Sequence, residues 1–152
     1  MAEVVVVKAI IYDGAGRILL QHRDNIPNII EPNCWGFFGG GVEDGEDLLE
    51  ALERELREEL SCDVGKIEEE LFRWAQSNTG FLHVCFAVRF TAANEDLILK
   101  EGQALAWYTA SELMDLNLNL CSLVRIGLPC ITSVIKEKVS QHGLDGGQFN
   151  YC

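Results

Sequence analysis

Glu55, Glu58 and Glu59 fall in a stretch, residues 46–61, that contains neither Gly nor Pro. At 100° per residue these acids share an arc of about 100° on a helix. Neighbours three or four apart lie about 5–6 Å from one another, so like charges there cost a few tenths of a kcal/mol per pair. Their place near the helix C-terminus adds to the cost, because the negative end of the helix dipole repels further negative charge. Glu50 precedes Arg54, and Glu53 precedes Arg57, by four residues in the favourable orientation, whereas Glu55 and Glu59 have no such partner. An uncompensated acidic face beside the glycines 39–41 suits a hard divalent cation, which takes carboxylate and carbonyl oxygens and keeps other positions for water and phosphate. A solvated polar face is the alternative reading of the same residues.

The elements that must carry these acids are readable. Leu48, Leu49, Leu52, Leu56 and Leu60 recur at helical spacing and predict a helix over 46–61. Residues 3–12 and 17–23 are β-rich and flank the turn residues 13–16, which predicts a hairpin closed by a plain turn. A loop over 24–34 leads to a short aromatic strand, 35–38, that ends in three glycines. Strict alternation in Leu82, Val84, Phe86, Val88 and Phe90 predicts a second hairpin, 66–76 with 81–91. A further strand is expected at Trp107–Tyr108, a brief helix capped by Ser111, and a terminal helix over 122–140, kinked or restarted at Pro129. The order ββ, β, α, ββ, β, α gives an α+β class, a mixed sheet packed between helices.

At 152 residues the chain is the size of one domain, so 1–152 is read as a single unit. A net charge of -12 disfavours a nucleic acid polymer as partner. The apolar run Val4–Ile11 is too short to span a bilayer and is interrupted by Lys8, so no membrane partner is expected and the cytoplasm is the expected location. Six cysteines without CxxC spacing, and without a secretory signal, are read as free thiols. His22 and His83 are isolated and read as structural.

Written in full, Gly40, five residues, Glu46, seven residues and Arg54-Glu55-Leu56-Arg57-Glu58-Glu59 resemble the signature of the Nudix hydrolase family over residues 40–62. Seven of its nine specified positions are met; Ser61 and Cys62 replace the final glycine and bulky aliphatic residue. Strand order and the segment Lys100-Glu101-Gly102-Gln103 are similar to the small MutT-type members, whose fold is an α/β/α sandwich. Phe38 stands where the family usually has proline, which suggests an altered pocket lip.

The resemblance implies Mg²⁺-dependent hydrolysis, with Mn²⁺ able to substitute, of a nucleoside diphosphate linked to another group. A nucleoside triphosphate cut to a monophosphate and pyrophosphate is the leading expectation. Glu58 and Glu59 are expected ligands, Glu55 a ligand or base, Glu101 a further ligand or base, and the Gly39 carbonyl an extra oxygen ligand. Arg54 would orient the glutamates, with Glu46 and Gly40 in support. Arg23 matches a substrate-contacting arginine, and Trp35 and Phe37 are candidates to stack on a base. A nucleotide-sugar or dinucleotide pyrophosphatase and a non-catalytic nucleotide-sensing module are the competing readings. Beyond the small-molecule nucleotide, a second copy of the chain (a homodimer) is the one partner left open.

Overall fold

The computed structural model describes residues 3–115 and 117–146. Strands β1 (Val4–Tyr12) and β2 (Ile18–His22) are followed by two short strands, β3 (Trp35–Gly36) and β4 (Phe38–Gly41). Helix α1 (Leu48–Leu60) precedes β5 (Gly65–Gln76), β6 (Phe81–Phe90), a 3-10 turn at Asn94–Asp96, β7 (Ala104–Tyr108), α2 (Ala110–Leu113) and α3 (Ser122–Gly146). The sheet order is β3-β2-β1-β6-β5, with β4 also on β1 and β7 on β2. The β1–β6 pair is parallel and the other strand pairs are antiparallel, so the sheet is mixed.

Alternation along the strands divides the core in two. Val7, Ala9, Ile11, Val84, Phe86 and Val88 pack under Leu52, Leu56 and Leu60 of α1. Ile10, Tyr12, Cys85 and Ala87 pack under Leu123, Val124, Ile131 and Ile135 of α3. Burying one face of each helix on opposite sides of one sheet produces the expected α/β/α layering.

Several boundaries differ from expectation. α1 starts at Leu48, because Asp47 accepts from Glu50 N at 2.8 Å while Glu50 accepts from Asp47 N, a capping box that fixes the first turn. Glu50 is thereby committed to the cap and does not pair with Arg54. α2 is capped by Thr109 with Glu112, so Ser111 lies inside it. The terminal helix runs through Pro129 without restarting and extends to Gly146. Phe38 is fully buried under α1, a packing position with no part in a pocket lip.

The cysteines are corrected too. Cys34 and Cys121 form a disulfide across 87 residues of sequence, while Cys62, Cys85 and Cys130 are free. Backbone bonds from Trp35 N to Asn119 O and from Cys121 N to Trp35 O bring the two sulfurs together.

Candidate active site

Arg54 is the hub of the acidic surface. Its Nε donates to Glu46 Oε2 at 2.7 Å, Nη2 to Glu46 Oε1 at 2.9 Å and to the Gly41 carbonyl at 3.0 Å, and Nη1 to Glu55 Oε1 at 2.9 Å. Glu58 lies 3.4 Å from Nη1 with an exposed carboxylate. Glu46 precedes the helix, also accepts from Glu43 N, and is held down to about 2, chiefly by its bonds to the guanidinium. The fork therefore ties the glycine bend to the helix one turn from its acids.

Glu59 is 2% exposed and faces the sheet. It accepts from Gly39 N at 2.8 Å, with Gln21 Nε2 at 3.4 Å. Burial pushes its carboxyl up to about 7; Glu55 and Glu101 push the same way, while Lys8 and the Gly39 N–H oppose. Burial also raises Glu55, against Arg54. The glycines allow this approach. Gly39 has φ of 143°, and a Cβ there would sit 2.0 Å from the Val7 carbonyl; a Cβ on Gly40 would sit 2.5 Å from the Glu55 carboxylate.

The loop bearing Glu101 is tethered at both ends. Lys100 N donates to Glu59 O at 2.9 Å, and Gln103 N to His22 O at 2.7 Å. Gln103 Nε2 reaches Arg23 O and Asn33 Oδ1. A recess lined by Gln21, Arg23, Gly39, Glu59, Glu101 and Gly102 results. Arg23 also lines a second cavity on the α3 side of the sheet, together with Phe37, Lys8, Gln76, Phe81 and His83. Trp35 is not part of that lining: it stacks on His22 at 4.8 Å and meets Tyr108 edge-on.

Thus the fold brings Gly39, Glu59, Glu101 and Arg23 to one recess, while Glu55 lies behind Gly40 and Glu58, exposed beside Arg54, lies outside the recess lining. The donors are hard oxygens, and a buried carboxylate crowded by two others is short of positive charge, so the set fits a hard divalent cation chemically. Among the described residues no three Asp, Glu, His or Cys side chains converge as a ready-made cage. Arg54 holds Glu55 and lies beside Glu58, and loading the site would require those contacts to rearrange. Lys8, Gln76 and His83 were not singled out as site residues by the sequence. Their signal was a lysine and a histidine interrupting apolar strand patterns.

The fold and the acid-bearing helix are those of a Nudix hydrolase, and the chain belongs to that family: the NUDIX domain model matches residues 2–122. The chain is 33% identical over 99 residues to the nucleoside triphosphatase NudI of Enterobacter sp. (strain 638), covering 58% of this chain and 70% of that protein. It is 29% identical over 133 residues to NudI of Salmonella paratyphi B, covering 80% and 93%. The solution structure of the E. coli ORF135 protein superposes with a TM-score of 0.66 at 28% identity, covering 92% of this chain and 94% of that one. The MutT NUDIX hydrolase from Burkholderia pseudomallei superposes with a TM-score of 0.67 at 27% identity, covering 87% and 100%. Nudix hydrolases generally use a divalent metal ion.

Proposed function

We propose that this chain hydrolyses a nucleoside triphosphate between its α and β phosphates, with Mg²⁺ as the working ion and Mn²⁺ as a substitute, releasing a monophosphate and pyrophosphate. The observation that carries the reading is that Arg23 lines both the acid recess and the apolar-walled cavity. A nucleotide with its base in the cavity then passes its phosphates by a guanidinium into the carboxylates. The NudI relatives, described as nucleoside triphosphatases, favour this substrate class over nucleotide sugars and dinucleotides.

A divalent ion held by Glu58, Glu59, Glu55, Glu101 and the Gly39 carbonyl would screen phosphate charge and lower the pKa of water near neutrality. The chain's own groups then have distinct work. Arg54 positions Glu55 and Glu58 through its fork, and Glu46 anchors Arg54. The Gly39 N–H fixes the Glu59 carboxylate. Glu55 and Glu101, both facing Glu59 through their charge, are the groups able to accept the proton of the attacking water. Phe37 is the aromatic wall of the base cavity in this reading, while Trp35 supports His22 and lies outside it.

A single chain acting in the cytoplasm suits this substrate, and no described helix is long and apolar enough to cross a membrane. The Cys34–Cys121 bond is the feature that opposes a reducing compartment. The test is a panel of nucleoside triphosphates, nucleotide sugars and dinucleotides with Mg²⁺ or excess chelator. Pyrophosphate from triphosphates only with the ion present is expected. Turnover in chelator, or turnover of nucleotide sugars alone, would overturn the reading.

A further inference from the structure

The cavity beside Arg23 has walls of Val6, Ile30, Phe37, Phe81, Leu123 and Val124 and a volume of about 100 Å³. Five polar side chains interrupt those walls: Arg23, which donates to the Ile30 and Glu31 carbonyls, and Glu31, which accepts from Ser122, are engaged, leaving Lys8 on β1, and Gln76 and His83 where β5 and β6 meet. Lys8 pairs with Cys85 and Val6 with His83 in the parallel β1–β6 register, so Lys8 and His83 are diagonal neighbours on the α3 face of the sheet. His83 lacks a partner at one ring nitrogen, and Lys8 makes a single long bond. Lys8 Nζ has the Phe37 carbonyl at 3.5 Å and, among the described residues, no carboxylate within 4.0 Å. His83 and Gln76 are 7% and 6% exposed, and the Gln76 Oε1 faces His83 Nε2 at 3.0 Å. Nε2 therefore carries the hydrogen, and Nδ1 is a bare lone pair, buried with no partner. The ring is held between Trp74, on which it stacks at 5.6 Å, and Phe81, which it meets edge-on at 6.1 Å.

A half-buried lysine amine with hydrogens to spare and, beside it, an imidazole acceptor without a donor form a complementary pair that lacks its ligand. The ligand edge that satisfies both is a ring carbonyl next to a ring N–H. We infer that Lys8 and His83 read the lactam edge of an oxo base, uracil, thymine or guanine, with the carbonyl on the Lys8 ammonium and the ring N–H on His83 Nδ1. An amino base in the same pose turns its NH₂ donors against the ammonium and sets a ring nitrogen lone pair against that of the imidazole. Both contacts are repulsive, so cytosine and adenine are disfavoured in this pose by the same two groups. Gln76 is a positioning residue that fixes the tautomer of His83. The inference rests on the reading of the cavity as the base site, and names the substrates within it.

The test is calorimetric binding of nucleoside monophosphates in Mg²⁺ buffer, which needs no turnover. Uridine monophosphate is expected to bind about tenfold or more tightly than the near-isosteric cytidine monophosphate, and guanosine monophosphate more tightly than adenosine monophosphate. 3-Methyluridine monophosphate, which lacks the ring N–H, is expected to lose that advantage. Lys8→Met keeps the aliphatic stem and His83→Phe keeps the ring, and each should bring the uridine and cytidine forms to within about twofold. If His83→Phe does not fold, Lys8→Met and the methylated ligand still decide. Equal or tighter cytidine binding, an unaffected methylated ligand, or a preference unchanged by Lys8→Met overturns the inference. Selective binding without hydrolysis of any triphosphate supports it and sinks the proposed activity alone. Hydrolysis of triphosphates with no base preference does the reverse.

Discussion

Replacing Glu59 with Gln tests whether the buried acid is held against its own charge. In the chelated protein the Glu59 carboxyl, 2% exposed, is raised from 4.5 to about 7, first by burial and then by Glu55 and Glu101. The fold therefore favours the protonated acid. Below pH 4.5 the group costs nothing, the cost builds between 4.5 and about 7, where the unfolded carboxyl ionises and the folded one stays protonated, and it is complete above 7. A shift of that size corresponds to about 3 kcal/mol at pH 8, at about 1.36 kcal/mol per pH unit. Gln stays neutral and keeps an oxygen for the Gly39 N–H. Urea unfolding in chelator should find Glu59→Gln about 3 kcal/mol more stable than the parent at pH 8, with the gap closing near pH 4.5. The same substitution should abolish turnover in Mg²⁺. A variant less stable than the parent at pH 8, or a gap independent of pH, would refute the reasoning.

Gly40→Ala places a Cβ 2.5 Å from the Glu55 carboxylate, a flexible end that can move aside. The melting temperature should change little while kcat falls by about a hundredfold, as steady-state kinetics would show. Ser61 closes α1 with φ of 61°, a left-handed conformation that costs a non-glycine residue. Ser61→Gly, the residue typical of the family signature, should raise stability by about 1 kcal/mol in urea unfolding without altering kcat. Reductant should lower stability by about 2–5 kcal/mol through loss of the Cys34–Cys121 bond, and a Cys34→Ser, Cys121→Ser double variant should no longer respond to it.

What the sequence made legible was local and periodic. The leucine spacing marked α1, alternation marked β6, and the charge crowding on α1 marked the acids, because each signal lies within one element. Boundaries set by side chains folding back on the backbone were less legible. Asp47 and Thr109 displaced the expected helix starts through capping boxes, and Glu50, assigned to Arg54, was drawn into the first of these. Arg54 instead reached back to Glu46 and Gly41, contacts that exist only once the glycine bend lies against α1. The disulfide was not legible at all, since its cysteines meet only after Trp35 pairs with the segment before α3. Gly39, Glu59, Glu101 and Arg23 were each named from the sequence and converge on one recess. The Lys8 and His83 pair was missed because each residue, alone in a strand, reads as an interruption, and only the β1–β6 register makes them neighbours.

The central claim, that the bond between the α and β phosphates of a nucleoside triphosphate is hydrolysed at this carboxylate recess, is tested most directly by ³¹P NMR of the products formed in ¹⁸O-labelled water with Mg²⁺. Nucleoside monophosphate and pyrophosphate are expected in equal amounts, and the product that carries the isotope-shifted signal names the phosphorus attacked. Orthophosphate as the sole inorganic product would contradict the account.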